Sequence, residues 1–223
     1  LLIHESKQSA FLAELKNQMS QQFGEGKEAY KTSASYARIV NEGHYERLSG
    51  LINDAVEKGA EVLYGNQMDE SEKYIAPTLV QNHSEDADIE GEEIFGPVLT
   101  VETFRDLDEV INKVNSKPKP LSLYIFSSRK KNIDKLIKEI SAGSVGINET
   151  LLQFAHPYLP FGGVNHSGIG KSHGKYGFDE FSNQKSILRQ KSGLTSASML
   201  LPPYPKAKKY VDLFLNTILK WKL

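Results

Sequence analysis

The stretch VLTVETFRDLDEVINKVNSKPKPLSLYIFSSRKKNIDKLIKEISAGSVGIN, residues 98–148, decides the fold. It contains three short apolar runs typical of strands, at residues 98–104, 121–126 and 144–148. Two segments between them carry apolar side chains at helical spacing. Asp106 and Glu109 form a capping pattern before the first of these helices, and Gly143 ends the second. Because strands that alternate with helices need crossover connections, the stretch predicts an α/β fold with a mainly parallel sheet.

Four further elements are predicted on the N-terminal side of this stretch. They are helices over about 7–22 and 45–58 and strands over 61–64 and 74–80. We expect Ser6 to cap the first helix and Gly59 to end the second. Since proline has no amide proton to donate to a sheet, Pro77 predicts that its strand lies at an edge or bends there.

On the C-terminal side, glycines crowd residues 157–177 too densely for a regular element. The segments that follow are predicted as a lone extended strand from Phe181 to Arg189, a linker over 192–205 and a final helix over 210–219. A lone strand exposes unpaired backbone groups, which favour pairing with another chain. The lysines of the tail flank apolar residues, which fits a helix on a membrane surface or one packed on its own domain or a partner.

Composition restricts the class of protein. The 223 residues suffice for one large domain or a domain with an appendage, and 39% hydrophobic and 25% charged residues are typical of a soluble globular chain. A net charge of -1 gives no overall attraction to nucleic acid. No apolar run reaches the ~20 residues that a membrane span needs. The lack of cysteine excludes disulfides and a cysteine nucleophile from these residues and is compatible with a cytoplasmic location.

The first motif with chemical potential is EEIFGP, residues 92–97. The Glu93 carboxylate can accept hydrogen bonds from both vicinal hydroxyls of a ribose. Phe95, two residues later, points the same way on an extended chain and can brace a flat ring. The other interpretation is a solvated acidic pair before a core strand.

The second motif is PFGGV at residues 160–164, followed by SGIG at 167–170 and HG at 173–174. Clustered glycines allow the backbone to approach a ligand closely, and Phe161 and His173 can then line a pocket. The other interpretation is a tightly packed loop.

Two other interpretations of this region are disfavoured. Residues 165–172 nearly match a phosphate-binding loop, but Asn165 replaces its first glycine and no strand leads directly into it. His156, His166 and His173 have irregular spacing and no acidic partner, so no metal site is predicted.

The order of these motifs resembles that of the aldehyde dehydrogenase family, and of its class 3 branch most closely. The resemblance covers nearly the whole chain. Further matching stretches are YARI (36–39) before the helix with His44, YIAPT (74–78), PLSLY (120–124), and HGK (173–175) leading to Phe178 and to Phe181-Ser182.

The resemblance implies a set of site residues. Glu93 would bind the nicotinamide ribose of NAD or NADP, and Phe95 would contact the nicotinamide ring. The implied aldehyde pocket is lined by Leu151, Phe154, Phe161 and His173. Asn165 departs from the pattern, since class 3 members often have glycine there.

The resemblance also implies an architecture: a three-layer, mostly parallel Rossmann-like sheet with a protruding oligomerisation strand and a C-terminal helix. Residues 1–180 would form the C-terminal part of the catalytic domain. Residues 181–193 would be the oligomerisation strand, which joins a sheet of the neighbouring subunit in a homodimer. Residues 194–223 would be a linker and helix.

The implied reaction is oxidation of an aldehyde to a carboxylic acid through a cysteine thiohemiacetal, with hydride transfer to NAD or NADP. In the family the catalytic cysteine, the general-base glutamate, the oxyanion-stabilising asparagine and the dinucleotide-binding domain lie upstream of the matched region. The sequence begins LLIH, like an apolar strand cut partway along, so we interpret the chain as a fragment that is inactive alone. An interaction module that has lost catalysis, and a membrane-surface protein acting through its tail, are the alternatives.

Overall fold

The structure, a computed structural model, describes residues 1–26, 28–190, 208–209, 211–213 and 215–216. The chain forms two compact units, Leu1–Tyr176 and Gly177–Leu223. The strands are β1 (Leu2–His4), β2 (Glu61–Tyr64), β3 (Met68–Asp69), β4 (Tyr74–Ile75), β5 (Thr78–Gln81), β6 (Val98–Phe104), β7 (Ser122–Ile125) and β8 (Ser144–Ile147). The α-helices are α1 (Gln8–Phe23), α2 (Ala29–Thr32), α3 (Glu42–Glu57), α4 (Asp88–Gly91), α5 (Leu107–Asn115), α6 (Lys130–Glu139), α7 (Leu152–Ala155) and α8 (Gly174–Glu180).

The helices and strands form an α/β fold with a mixed sheet. The predicted alternation of strands and helices from β6 to β8 is confirmed. The main sheet has the order β1-β6-β5-β2, in which β6 is parallel to both neighbours and β2 is antiparallel to β5. The parallel pair β7-β8 forms a separate two-stranded sheet. The predicted mainly parallel sheet is therefore observed as two sheets, with β6 in the mixed main sheet and β7 and β8 in a parallel pair. Both edges of β6 are already hydrogen-bonded, to β1 and β5, so β7 cannot pair with it.

The described residues form three apolar cores, and the two larger ones join helices to strands. One face of α3 is buried against the main sheet, and its buried members are Tyr45, Leu48, Leu51, Ile52 and Ala55. The helix begins earlier than predicted, because the Asn41 side chain caps it by accepting a hydrogen bond from the His44 amide at 2.9 Å. Val56, near the C-terminal end of α3, is exposed. The second core joins α5, α6 and β7 through Val110, Ile111, Ile125, Leu136 and Ile140.

Asp106 caps α5 as predicted, since its Oδ1 accepts hydrogen bonds from the amides of Asp108 and Glu109 at 2.8 and 3.1 Å. The prediction that Ser6 caps α1 is wrong. Ser6 lies inside a 3-10 turn, Glu5–Lys7, and its amide donates to His4 Nδ1 at 3.3 Å. This extra turn shifts the start of α1 to Gln8.

Pro77 bends its segment, as one of the two alternatives predicted. The predicted strand is broken into β4 and β5 on either side of Ala76-Pro77. The edge alternative does not hold, because β5 is hydrogen-bonded to β2 and to β6.

The structure describes part of the predicted C-terminal elements. Within the described part of the chain, residues 183–190 form neither helix nor strand in this single copy. The described residues between 208 and 216 are helical, in agreement with the predicted final helix. The predicted linker at 192–205 lies outside the described residues. No described helix is long and apolar enough to cross a membrane.

Candidate functional site

The EEIFGP segment lies between α4 and β6, and Arg47 of α3 fixes its backbone. Arg47 Nη1 donates to the Glu93 carbonyl and to Glu92 Oε2, both at 3.3 Å. Its Nη2 donates to the Ile94 carbonyl at 2.6 Å. One guanidinium therefore binds the successive carbonyls of Glu93 and Ile94. The Glu93 side chain is exposed. The carboxylate is presented to solvent on an anchored backbone.

Phe95 adopts a conformation that the sequence did not predict. Its φ is +49°, in the left-handed region that bulky residues rarely adopt, and its side chain is 75% exposed. The alternation argument for an extended chain thus does not hold at Phe95 itself. The ring lines a cavity of about 410 Å³, together with Arg38, Ile39, Val40 and His44. An exposed aromatic ring on strained backbone beside a cavity is typical of a ligand contact.

Gly96 explains why this turn packs directly on the core. A Cβ atom built on Gly96 would lie 2.7 Å from Leu48 Cδ1, which is closer than carbon atoms approach. Leu48 is fully buried in α3. The glycine therefore lets the Phe95 segment rest on the same helix that supplies Arg47.

A second constellation brings together three of the predicted pocket residues. The Phe154 and Phe161 rings meet edge to face with centroids 4.8 Å apart. The His173 ring stacks on Phe161 at 5.8 Å with an interplanar angle of 21° and lies 6.0 Å from Phe154. Leu151, the fourth predicted residue, immediately precedes α7 with a φ of +66° and an exposed side chain. We refer to Phe154, Phe161 and His173 as the aromatic cluster.

Backbone pairing places the aromatic cluster. Phe161 and Ser172 form an antiparallel bridge, with N–H···O distances of 3.1 and 2.7 Å in the two directions. His173 follows at once with a φ of +75°. Its Nδ1 is buried and has no hydrogen-bond partner among the described residues. The same holds for the side-chain amide of Gln153. The cluster thus combines apolar rings with one buried polar atom, His173 Nδ1, that a bound molecule can satisfy.

The glycine-rich loop is tightly packed, as one of the two interpretations of the second motif predicts. A Cβ on Gly163 would lie 2.0 Å from the Ser167 carbonyl oxygen, and one on Gly162 2.2 Å from that of Gly170. Asn165, where class 3 members often have glycine, has a φ of +55°. Asparagine tolerates this left-handed conformation better than most residues, so the loop keeps a glycine-like turn.

A charge cluster behind the first motif was not predicted. His83 Nε2 lies 2.7 Å from Glu90 Oε2, and ligand atoms of His83, Glu90 and Glu102 come within 4.8 Å of one another. Such a set can bind a metal ion, but Lys113 is hydrogen-bonded to Glu102 and Lys117 to Glu90. Because these ammonium groups already neutralise the carboxylates, the arrangement is an ion-pair network that anchors α4 before Glu93.

This network predicts a pH dependence of stability. Burial raises the pKa of Glu90, but hydrogen bonds from Lys117 and His83 outweigh this and hold the pKa at about 2, below the usual 4.5. Since the folded-state pKa is depressed, the stabilisation is complete above about pH 4.5 and is lost as the pH falls toward 2. We expect Glu90→Gln to lower the free energy of unfolding in urea by roughly 1–3 kcal/mol at pH 7, and the difference from wild type to narrow as the pH falls from 4.5 toward 2.

The matched control is Glu5→Gln, which removes an exposed pair between Glu5 and Arg105. It should change the free energy of unfolding by less than about 1 kcal/mol. A constant difference between wild type and Glu90→Gln from pH 7 to pH 3 would show that the Glu90 charge does not contribute.

Comparison with known proteins places this geometry in a family. A sequence model of the aldehyde dehydrogenase family matches residues 1–187. The chain is 41% identical over 216 residues to the 4,4'-diaponeurosporen-aldehyde dehydrogenase of Staphylococcus aureus, covering 97% of this chain and 46% of that protein. It is 37% identical over 209 residues to aldehyde dehydrogenase family 3 member A2 of Mus musculus, covering 93% and 42%.

Solved structures agree with the sequence matches. The substrate-bound state of Staphylococcus aureus AldH superposes with a TM-score of 0.79 at 41% identity, over 96% of this chain and 45% of that one. An NAD-dependent aldehyde dehydrogenase from Sinorhizobium meliloti superposes with a TM-score of 0.71 at 32% identity, over 82% and 36%. The chain thus spans less than half the length of these relatives. With the family model matching residues 1–187, it belongs to the aldehyde dehydrogenase family.

Proposed function

We propose that this chain is part of an NAD(P)-dependent aldehyde dehydrogenase, to which it supplies the nicotinamide-ribose contact and part of the aldehyde pocket. The observation that carries the proposal is the aromatic cluster. Three of the four positions at which the family resemblance implies aldehyde-pocket side chains lie in mutual ring contact. Phe161 and His173 come from separate segments of the chain that the backbone bridge between Phe161 and Ser172 brings together.

The cofactor part of the proposal rests on Glu93 and Phe95. An exposed carboxylate on a clamped backbone is suited to accept two hydrogen bonds from ribose hydroxyls. The cavity of about 410 Å³ beside Phe95 leaves room for a flat ring against the phenyl face. When bound, NAD or NADP supplies the hydride acceptor. The residues of this chain orient it and exclude water from one side.

The aldehyde part of the proposal rests on the aromatic cluster and Leu151. Aromatic and aliphatic walls favour burial of the apolar part of an aldehyde. The buried Nδ1 of His173 offers one polar contact. These 223 residues contain no cysteine, so a family-type thiolate nucleophile would come from elsewhere in the enzyme, and we propose that the isolated chain does not turn over aldehydes.

Substitutions in the aromatic cluster test this proposal. In the full-length enzyme, Phe161→Ala and His173→Ala are expected to change the ratio of kcat/KM values for short and long aldehydes. The expected change corresponds to about 1–3 kcal/mol in the difference between the two activation free energies. Truncation removes pocket wall but leaves the reacting groups in place. Phe11→Ala on α1 serves as a matched aromatic control and should leave the ratio unchanged. Identical specificity ratios in all variants would refute the assignment of the pocket.

We also propose that the enzyme is a homodimer joined through Phe181–Arg189. Ile187 and Leu188 are 77% and 97% exposed in the single chain, and exposed apolar side chains in sequence favour burial against another surface. Extended pairing with a neighbouring sheet would satisfy the backbone groups of this segment.

Ile187→Pro should weaken the dimer, because proline removes one backbone donor from the pairing. Light scattering at low micromolar concentration measures the effect, with Ile187→Val as the control that keeps the donor. The proposal fails if the folded proline variant is as dimeric as the parent or if the parent is a monomer.

A further inference from the structure

We propose that Lys171 is a positioning residue for the aldehyde pocket, whose ammonium group sets the relative position of Phe161 and His173. The inference rests on the proposed function, because it concerns the same pocket. Lys171 is not in the aromatic cluster. Its backbone precedes Ser172 and His173, and its side chain reaches back to the glycines that follow Phe161.

The contacts of Lys171 are made with main-chain carbonyls. Its Nζ donates to the carbonyls of Gly162, Gly163 and Gly143 at 2.5, 3.1 and 3.3 Å. An ammonium group has three protons, so these three acceptors satisfy it. Hydrogen bonds with a charged donor are stronger than neutral ones, particularly at this partly buried position.

These carbonyls belong to segments that meet closely. Gly143 lies in the turn from α6 to β8, whereas Gly162 and Gly163 lie in the glycine-rich loop. A Cβ on Gly143 would lie only 2.4 Å from the Gly162 carbonyl oxygen. Carbonyl oxygens that converge on one point repel one another, and a cation between them turns this repulsion into attraction. Lys171 therefore binds the loop to the turn at the base of β8.

The consequence for the pocket follows from the chain connections. Phe161 directly precedes Gly162, and its backbone pairs with Ser172, next to Lys171. His173 is held with a φ of +75°, a conformation that persists only where the surroundings impose it. Without the lysine contacts, the loop is free to move against the turn, and the 5.8 Å stacking of His173 on Phe161 is no longer fixed.

Residues 165–172 nearly match a phosphate-binding loop in sequence, but the contacts of Lys171 differ from those of the lysine in such a loop. In a phosphate-binding loop the lysine points toward the ligand. Here the Lys171 ammonium group instead donates to the main-chain carbonyls of Gly143, Gly162 and Gly163.

The test compares Lys171→Met, which keeps an unbranched side chain one atom shorter and removes the donors, with Lys130→Met as control. Lys130 begins α6 and is 86% exposed. In the full-length enzyme, Lys171→Met is expected to raise the KM for long aldehydes about tenfold and to change the ratio of kcat/KM between long and short aldehydes. The KM for the cofactor should change less than about twofold, within the effect of a remote surface substitution.

A second readout does not depend on turnover. The Cε1–H signal of His173, assigned by its loss in His173→Gln, reports the ring stacking on Phe161 in a ¹H–¹³C correlation spectrum. It should shift in Lys171→Met and stay in place in Lys130→Met. If the enzyme lacks dehydrogenase activity, the proposed function fails, while this shift still tests the role of Lys171.

Three outcomes would overturn the inference. They are an unshifted His173 signal in Lys171→Met, equal losses of aldehyde and cofactor affinity, and a Lys171→Arg variant as impaired as Lys171→Met. The arginine variant keeps cationic donors and should lie between wild type and Lys171→Met. If Lys171→Met does not fold, Lys171→Arg and Lys171→Gln give the same comparison, with the neutral variant expected to shift the His173 signal more.

Discussion

Glu93→Gln in the full-length enzyme is expected to slow hydride transfer about 10- to 100-fold. A neutral amide loses the charge-assisted hydrogen bonds to the ribose hydroxyls, which together contribute roughly 1.5–3 kcal/mol, and each 1.36 kcal/mol in the barrier is about tenfold in rate. The KM for the aldehyde should change little, because Glu93 does not belong to the aromatic cluster. Single-turnover production of the reduced cofactor measures the step directly.

Glu92→Gln is the matched control for this experiment. The Glu92 carboxylate is about half exposed and pairs with Arg47 at 3.3 Å, so its loss should cost less than about 1 kcal/mol. The backbone contacts from Arg47 to Glu93 and Ile94 remain in this control. Equal rates of hydride transfer in Glu93→Gln and wild type would remove Glu93 from the cofactor site.

Leu48→Ala is expected to have the largest effect on stability, lowering the free energy of unfolding by about 2–5 kcal/mol. Leu48 is fully buried in the apolar core between α3 and the main sheet, and its side chain also fills the space over Gly96. The substitution leaves a cavity under the Phe95 turn, so cofactor binding should weaken along with the fold. Urea unfolding followed by circular dichroism gives the change.

The control for this prediction is Leu48→Met, which conserves volume and should cost less than about 1.5 kcal/mol. A cost below about 1 kcal/mol for Leu48→Ala would mean that the core around α3 relaxes to fill the space. In that case the packing of Gly96 on Leu48 would not be what fixes the Phe95 turn.

Local signals in the sequence predicted most of the individual elements. The apolar periods of β6, α5, β7, α6 and β8 and the Asp106 cap depend on residues close in sequence, and they appear where expected. The pairing of β6 with β1 and β5 was not predictable, because its partners lie up to about a hundred residues away and share its apolar character. Ser6 was misassigned because a serine near a helix start is compatible with several local turns.

The site shows the same division. The motifs gave Glu93, Phe161 and His173 as candidate site residues by resemblance, but neither Arg47 nor Lys171 was singled out for the contacts that it makes. Both act on backbone carbonyls, which every residue carries and which leave no mark in the sequence. For Lys171, the contact with Gly143 spans 28 residues and depends on how the loop packs.

A crystal structure of the full-length enzyme with NAD or NADP bound tests the central claim most directly. The result predicted here has both nicotinamide-ribose hydroxyls within hydrogen-bonding distance of the Glu93 carboxylate, about 2.5–3.0 Å, and the nicotinamide ring against Phe95. A nicotinamide ribose bound away from Glu93, with Phe95 facing solvent, would contradict the assignment of this chain to the cofactor site.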